Sequence, residues 1–550
     1  MADTPATLLR RVVGPPRSTG SPRTVLVVMC AGYFLVLLDV TIVNVALPRI
    51  GSGLGADIGG LQWVVDGYAL ALAALMLASG TADDRYGHRR VVLAGLGVFG
   101  LGSLACGLAP DAPVLVAARV VQGVGAALLL PGTLAIIGQA FPDERGRARA
   151  IGVWAGIGSL ALPAGPLLGG LLVDGLGWRA VFLVNVPIVL VALVWSAAVV
   201  RESRGASTPP LDLPGLLLGA LLLLATTYAF VQGGRSGAGA PRVVAAAVVA
   251  VAALAALCVA EARRGEEAML PPALLRRPAF DAANAAAGIM NLCTLGALFV
   301  LMLFLQSVQG RSALGAGLAV VPLFAPLAVI APFGGRITSR VGARLPATAG
   351  LLCAAAGLAL LVRAQPHSGY AVLLPAFLLW GTGLGILTPA VVAAAVAAVP
   401  AGRSGLASAV NNTARQTGGA IGIAVAGAVA GQPGDQSHFV RGFHAIALGA
   451  AGLYAATVLL VLALLPGALL PGARRCWAGG DGRPRTGEGD PDGAAPGSLF
   501  PFSFPTSGRD PGHRSVRGGG PGAVMVRCHG PPSSGDVRHM CCRGHACLIR

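Results

Sequence analysis

The sequence predicts an all-α polytopic membrane protein with fourteen transmembrane helices, set out as two six-helix bundles with two helices inserted between them. Three observations predict it. Of the 550 residues, 55% are hydrophobic and only 11% are charged, about half the charged share of an ordinary soluble domain. Runs of about 20 apolar residues, the length that crosses roughly 30 Å of hydrocarbon, recur fourteen times. A loop pattern that follows the second run returns after the tenth, as duplication of a six-span unit requires.

Residues 1–24 carry Arg10, Arg11, Arg17 and Arg23 and read as a cytoplasmic segment. The apolar run behind them is too long for a secretory signal and lacks a small-residue cleavage site at signal distance, so it is the first span. Six spans near 25–48, 61–80, 91–109, 113–139, 149–173 and 178–200 make an N-terminal bundle, 25–200. Two more, near 212–232 and 242–261, lie in an insert, 201–278. A second set, near 280–306, 313–334, 346–363, 371–398, 405–430 and 443–466, makes a C-terminal bundle, 279–471. From 472 to 550 the chain turns to Gly, Pro, Arg and Ser and reads as a disordered cytoplasmic tail.

Arginine placement sets the orientation, because cytoplasmic loops carry the excess of positive charge. With the N-terminus inside, inner segments hold Arg85, Arg89 and Arg90, then Arg145, Arg147 and Arg149, then Arg201 and Arg204, and later Arg276, Arg277, Arg336, Arg340, Arg344, Arg403, Arg474 and Arg475. Outer loops hold mostly single ones, such as Arg49, Arg179, Arg235 and Arg311. Both termini are therefore expected in the cytoplasm of a multi-pass cell-membrane protein.

A net charge of +17 does not indicate nucleic acid, since the basic residues are scattered between apolar runs rather than gathered on one face. All of them are Arg; with no Lys there is no Walker A lysine, which excludes a P-loop ATP-driven pump in this chain. Cys30, Cys106, Cys258, Cys293 and Cys353 stand singly in apolar runs, as small hydrophobes do. In the tail, Cys528, His529, His539, Cys541, Cys542, His545 and Cys547 fit no zinc-ligand spacing. No metal, cofactor or enzymatic activity is expected.

The repeat is visible in detail. GTADDRYGHRR from Gly80 is matched by GRITSRVGARL from Gly335, GVGAALLLP from Gly123 by GTGLGILTP from Gly381, and Gly146-Arg147 by Gly402-Arg403. Two parallel halves with a site at their interface near the midplane are the architecture of major facilitator transporters. Duplication alone does not give a function, which has to come from the sites.

Asp39 lies in LLDVTIVNVALP, an acid inside an apolar run, where it costs roughly 3 kcal/mol on insertion scales and is retained for ion traffic or for pairing with a buried base. Arg119, Gln122 and Gly123 share a face of span four. Span five carries Gly158, Pro163, Gly165, Pro166, Gly169 and Gly170, a density of Gly and Pro that lets membrane helices approach closely and bend. With GTADDRYGHRR, RVVQGVGAALLLPG, GSLALPAGPLLGG and WRAVFLVNVPI in this order, the chain resembles the fourteen-span drug:proton antiporter family of the major facilitator superfamily over about 25–466.

The resemblance implies an antiporter that exports drugs, antibiotics or similar amphipathic molecules in exchange for protons. It puts the drug-exporter signature at Asp39, the conformational gate at Gly80, Asp84, Arg85, Gly87 and Arg89, proton transfer at Arg119 with Gln122 and Gly123, and the antiporter motif at Gly165, Pro166, Gly169 and Gly170. LQWVVDGYALA resembles family members with an acid where Asp66 stands. Asp83 and His88 depart from the loop pattern, which has a small residue and an Arg or Lys there, and Ser339 replaces the acid in the second copy.

Asp39 lies about eight residues, or ~12 Å, from the outer end of span one, and Arg119 about six residues, or ~9 Å, from the same surface in span four, so the two can meet. Either they form a permanent ion pair that fixes packing, or the approach of Arg119 makes proton binding by Asp39 depend on conformation. Asp66 either couples protons or faces an outer vestibule. The substrate cavity is expected to draw on Asn44, Gln122, Asn291, Gln306, Asn411, Asn412 and Arg415. Arg415, near the midplane of span thirteen, either pairs with Asp39 or Asp66 across the halves or attracts polar or anionic substrate groups. The expected partners are a small-molecule substrate, protons and membrane lipid, with the chain a monomer. Uptake by a proton symporter of the same superfamily, and a membrane sensor that binds without transporting, are the alternatives.

Overall fold

The computed structural model describes residues 21–203, 212–265, 274, 276–399 and 404–465. Arg10, Arg204, Gly402, Arg403, Arg474 and the Cys- and His-bearing tail lie outside the described residues.

Fourteen long helices follow one another: α1 (Pro22–Leu54), α2 (Ile58–Tyr86), α3 (His88–Gly107), α4 (Ala112–Ala140), α5 (Glu144–Leu176), α6 (Ala180–Val199), α7 (Leu213–Ser236), α8 (Pro241–Arg264), α9 (Pro278–Val308), α10 (Ala313–Val341), α11 (Arg344–Arg363), α12 (Tyr370–Ala397), α13 (Ser404–Ala430) and α14 (Gln436–Leu464). No strand occurs among the described residues. Thirteen of these helices are long and apolar enough to cross a membrane. The exception is α13, whose middle reads NNTARQT. The helix least suited to lipid is thus one that carries candidate site residues.

Local chemistry sets the ends. Ser21, Asp57, Asp111 and Ser312 each accept the backbone N–H three residues on, at 2.9–3.2 Å, which satisfies donors that a helix start leaves open. Pro22 and Pro113 occupy the first turns of α1 and α4, where the missing N–H costs nothing. Gly55, at φ +63°, ends α1 in the left-handed region that favours glycine. The last turn of α9, Phe304–Val308, widens into a π-helix that contains Gln306.

The packing of the first six helices recurs in the last six. α1 contacts α4, α5 and α6, α2 contacts α4, and α3 contacts α4 and α6; α9, α10 and α11 make the equivalent contacts with α12, α13 and α14. Between the halves α5 packs on α10 and α2 on α13, a pair of interfaces that the repeat exchanges. The inserted α7 and α8 pack on each other, and α7 also rests on α2 and α13. Apolar side chains of α8 such as Val244, Val248, Val251 and Leu254 face outward, as a lipid-facing helix requires.

The largest buried cluster joins the two halves toward one end, and a small one, Ala69 and Leu70 with Ala420, joins them farther along. Ile42, Leu47, Ile50, Leu61 and Phe182 share a buried cluster with Phe299, Phe304, Val320 and Phe443. Toward the end that carries the α2–α3 loop, Val28, Leu72, Met76, Phe99 and Ile137 form a cluster of N-terminal residues alone, and Phe280, Val399 and Ala407 form another of C-terminal residues. The apolar core runs through both halves at the first of these ends and divides by half toward the other.

Candidate functional site

Asp39, Arg119 and Gln122 meet in the N-terminal half. All three are buried, Asp39 fully, and none is in contact with open solvent. Arg119 Nη1 donates to Asp39 Oδ2 at 2.5 Å and to Gln122 Oε1 at 2.7 Å, while its Nε donates to the Val64 carbonyl at 3.0 Å. Gln122 Nε2 donates to the other Asp39 oxygen at 2.8 Å. The guanidinium lies 4.3 Å from the centroid of the Tyr68 ring, so one face is stacked while the edge is bonded.

A second layer holds the first. Ser103 Oγ accepts from Gln122 Nε2 at 3.2 Å and Asn185 Nδ2 at 3.1 Å, and donates to the Phe182 carbonyl at 2.9 Å. Small residues bring the helices close enough: a Cβ on Gly102 would stand 2.7 Å from the Gln122 backbone nitrogen, and one on Gly123 would collide with the Tyr68 carbonyl oxygen. The pair at 39 and 119 was legible from depth; Tyr68, Ser103 and Asn185 were not, because nothing in their spacing says which face they turn to this pair.

The expected cavity residues separate into two groups. Gln122 belongs to the Asp39 cluster. Asn44, also buried, donates to the Val40 carbonyl of its own helix at 2.7 Å. Asn411, likewise buried, donates to Asn284 Oδ1 at 3.1 Å. Gln306 crosses the halves to the Val45 carbonyl at 2.9 Å. Each of these four has a hydrogen-bond partner within the protein. Asn291, Asn412 and Arg415 retain solvent-accessible surface.

Asp66 is fully buried, and neither of its oxygens has a hydrogen-bond partner. Arg415 pairs with neither Asp39 nor Asp66, and its Nε is also unpartnered. The alternative of an ion pair across the halves at Arg415 is not formed here.

The antiporter-motif residues sit where α5 meets two neighbours. A Cβ on Gly158, Gly165 or Gly169 would press on Tyr33, Thr41 or Ile42 of α1, and one on Gly170 would stand 2.5 Å from Leu314 Cα of α10. Pro163 and Pro166 lie inside the same helix, and the Pro166 carbonyl oxygen abuts Gly317. The motif thus packs α5 against its own half and against the other.

At the α2–α3 loop, Gly87 takes φ +106°, with the Glu202 carboxylate packed where a side chain would go. The two departures from the loop pattern find each other: His88 Nδ1 and Asp83 Oδ2 lie 2.5 Å apart, both buried. Arg89 donates to the Ala197 carbonyl at 2.6 Å, and Arg85 is exposed. Gly80 meets nothing within 4 Å of an added Cβ. Burial raises the pKa of Asp84, which nearby His88 lowers and Asp83 raises. Asp83, Asp84 and His88 bring ligand atoms within 4.8 Å, yet the His88–Asp83 bond occupies two of them.

Two residues that sequence reading passed over join the halves at the end where the core runs through both. Gln62 donates to the carbonyls of Ile423 and Ala424 at 3.0 and 2.8 Å. Asp174 accepts from the backbone of Ala313 and Leu314 at 3.3 and 2.8 Å.

A family model described as Major Facilitator Superfamily matches residues 29–423 and 285–474. The chain belongs to the Major Facilitator Superfamily. This major facilitator is 38% identical over 392 residues to the multidrug resistance protein Stp of Mycobacterium tuberculosis, covering 71% of this chain and 73% of that one. It is 38% identical to the puromycin resistance protein pur8 of Streptomyces alboniger (72% and 80% covered) and 33% identical to the tetracenomycin C resistance and export protein of Streptomyces glaucescens (77% and 77%). The fold is shared with the nucleoside transporter NupG at a TM-score of 0.57 and 11% identity (80% and 100% covered), and with the human organic anion transporter MFSD10 at 0.53 and 15% (82% and 100%). It is a multi-pass membrane protein.

Proposed function

We propose that this major facilitator is a proton-coupled antiporter that exports drugs, antibiotics or related amphipathic molecules across the cytoplasmic membrane. The observation that carries the reading is the buried Asp39–Arg119–Gln122 cluster. A carboxylate removed from water and held by one guanidinium changes its proton affinity sharply when that guanidinium moves, and Arg119 sits on α4 while Asp39 sits on α1, so helix movement can alter the pair. Relatives named for puromycin resistance and for tetracenomycin C resistance and export support the substrate class.

With the Arg-bearing loops in the cytoplasm, the end where the two cores divide faces inward, and substrate enters from the cell. Proton arrival at Asp39 or Asp66 and substrate departure then alternate with closure of that end, as two halves around a fixed central site allow. Asp66, buried without a hydrogen-bond partner, is the second protonation site in this cycle. In this reading the chain acts as a monomer, with the site between its own two halves. Proteoliposomes with an imposed pH gradient test the reading: substrate moving against the proton flow supports it, substrate moving with the protons indicates uptake symport, and ligand binding without gradient-driven movement indicates a sensor.

A further inference from the structure

Three side chains outside the Asp39 cluster lie at one depth, about ten residues or roughly 15 Å from the starts of their helices. They are Tyr33 on α1, Trp154 on α5 and Arg415 on α13, each only half-buried. Tyr33 and Trp154 are stacked, with ring centroids 3.7 Å apart and planes 12° from parallel. Arg415 lies within electrostatic reach of Tyr33 across the boundary between the halves.

What distinguishes the trio is its hydrogen bonding. Trp154 Nε1 and Arg415 Nε are both buried and have no acceptor. These are N–H donors only, one from each half, and a buried donor is costly to leave unpaired. None of the ion pairs among the described residues includes Arg415. Asp39, the nearest acid along α1, is already bonded to Arg119 and Gln122. The local demand is therefore for acceptors and negative charge beside a flat aromatic surface.

Packing of α1 on α5 explains part of the stack, since Gly158 leaves room for the Tyr33 ring. It does not explain two orphaned donors, one on each half. We propose that Tyr33, Trp154 and Arg415 form the recognition site for planar aromatic substrates that carry an acidic or acceptor-rich group, the ring extending the Tyr33–Trp154 stack and the acidic group accepting from Trp154 Nε1 and Arg415 Nε. Such a molecule contacts both halves at once, so its departure frees them to change their relation. The proposal rests on the export reading for its physiological meaning but not for its chemistry.

The test is binding to the purified full chain in lipid nanodiscs, with anthracene-9-carboxylate as probe, 9-aminomethylanthracene as its cationic counterpart and cyclohexanecarboxylate as the non-aromatic acid. The wild type is expected to bind the aromatic acid in preference to both others. Arg415→Gln should weaken that binding about tenfold or more, the scale of a lost hydrogen bond to a charged group, and Arg415→Lys should restore part of it. Trp154→Phe, which keeps a ring and loses the N–H, should weaken binding less than Trp154→Leu. Quenching of indole fluorescence by the probe should fall in Trp154→Phe. Each variant is first shown to be monodisperse with an unchanged unfolding temperature, and if Arg415→Gln fails this, the Lys variant and Trp154→Phe carry the decision. Equal binding of the acid and the ammonium compound, or unchanged affinity in the variants, overturns the site. Gradient-driven export of a cationic dye by a protein that fails this binding test would leave the export reading standing and discard only this inference; tight binding without any gradient-driven transport would do the reverse.

Discussion

The Asp174 carboxylate at the end of α5 accepts the backbone N–H of Leu314 in the first turn of α10 at 2.8 Å, across the boundary between the halves. A helix start presents open donors and the positive end of the helix dipole, so an acid there is favourable. Asp174 is exposed, which limits its contribution to about 1 kcal/mol. Asp174→Ala is expected to loosen this end and shift the resting population toward the opposite opening about fivefold. Distances between spin labels placed on α5 and α10 at that end check this; an unaltered distribution counts against the latch.

Gln62 performs a comparable role with the opposite polarity, donating to two α13 carbonyls from a buried position. Gln62→Leu should also open this end, and combined with Asp174→Ala the effects should add, since the two contacts sit on different interfaces. The same spin-label distances provide the readout.

Replacing Asp39 by Asn removes the titrating group and leaves Arg119 buried without its counter-charge. Proton-driven export should be lost. Stability should fall by about 3 kcal/mol, in the range seen when one partner of a buried pair is removed. Efflux under an imposed pH gradient, together with thermal unfolding in the same lipid, separates the two effects; full transport at wild-type rate would dismiss Asp39 from coupling.

Arg119→Lys keeps charge but cannot bond Val64, Asp39 and Gln122 while lying on Tyr68. A point charge on a flexible stem lacks the planar fork. Transport should be reduced rather than absent, and its rate at a fixed gradient measures the difference.

Asp83 and His88 form a pair that neither family-typical residue would make. Asp83→Ala alone strands a buried imidazole, and His88→Arg alone introduces a longer cation beside Asp83. The double variant should recover stability, with a coupling energy of about 1–2 kcal/mol. A double-mutant cycle of unfolding temperatures tests it, and strict additivity would deny the pair any role.

Much of this protein was determined by its sequence alone, because a bilayer admits few solutions. A backbone that must satisfy its own hydrogen bonds in hydrocarbon becomes a helix, so the fourteen runs read from the sequence are helices, thirteen of them apolar enough to span, and the loops at Gly80 and Gly335 exposed the duplication that the packing repeats. The meeting of Asp39 with Arg119 was also legible, since helical rise converts residue number into depth. Facing direction was not. In membrane helices apolar residues surround the whole circumference, so periodicity does not mark which side is lipid and which is protein. For that reason the hydrogen bonds of Asn44 to Val40, of Asn411 to Asn284 and of Gln306 to Val45, and the burial of Asp66, come from the fold and not from the pattern. Only tertiary structure decided that Asp174 and Gln62 join the halves, because a hydrogen bond to another helix's backbone leaves no mark in side-chain pattern. Only tertiary structure, too, turned Asp83 and His88 from two separate departures into one compensated pair, by folding the residue before a glycine turn onto the residue after it.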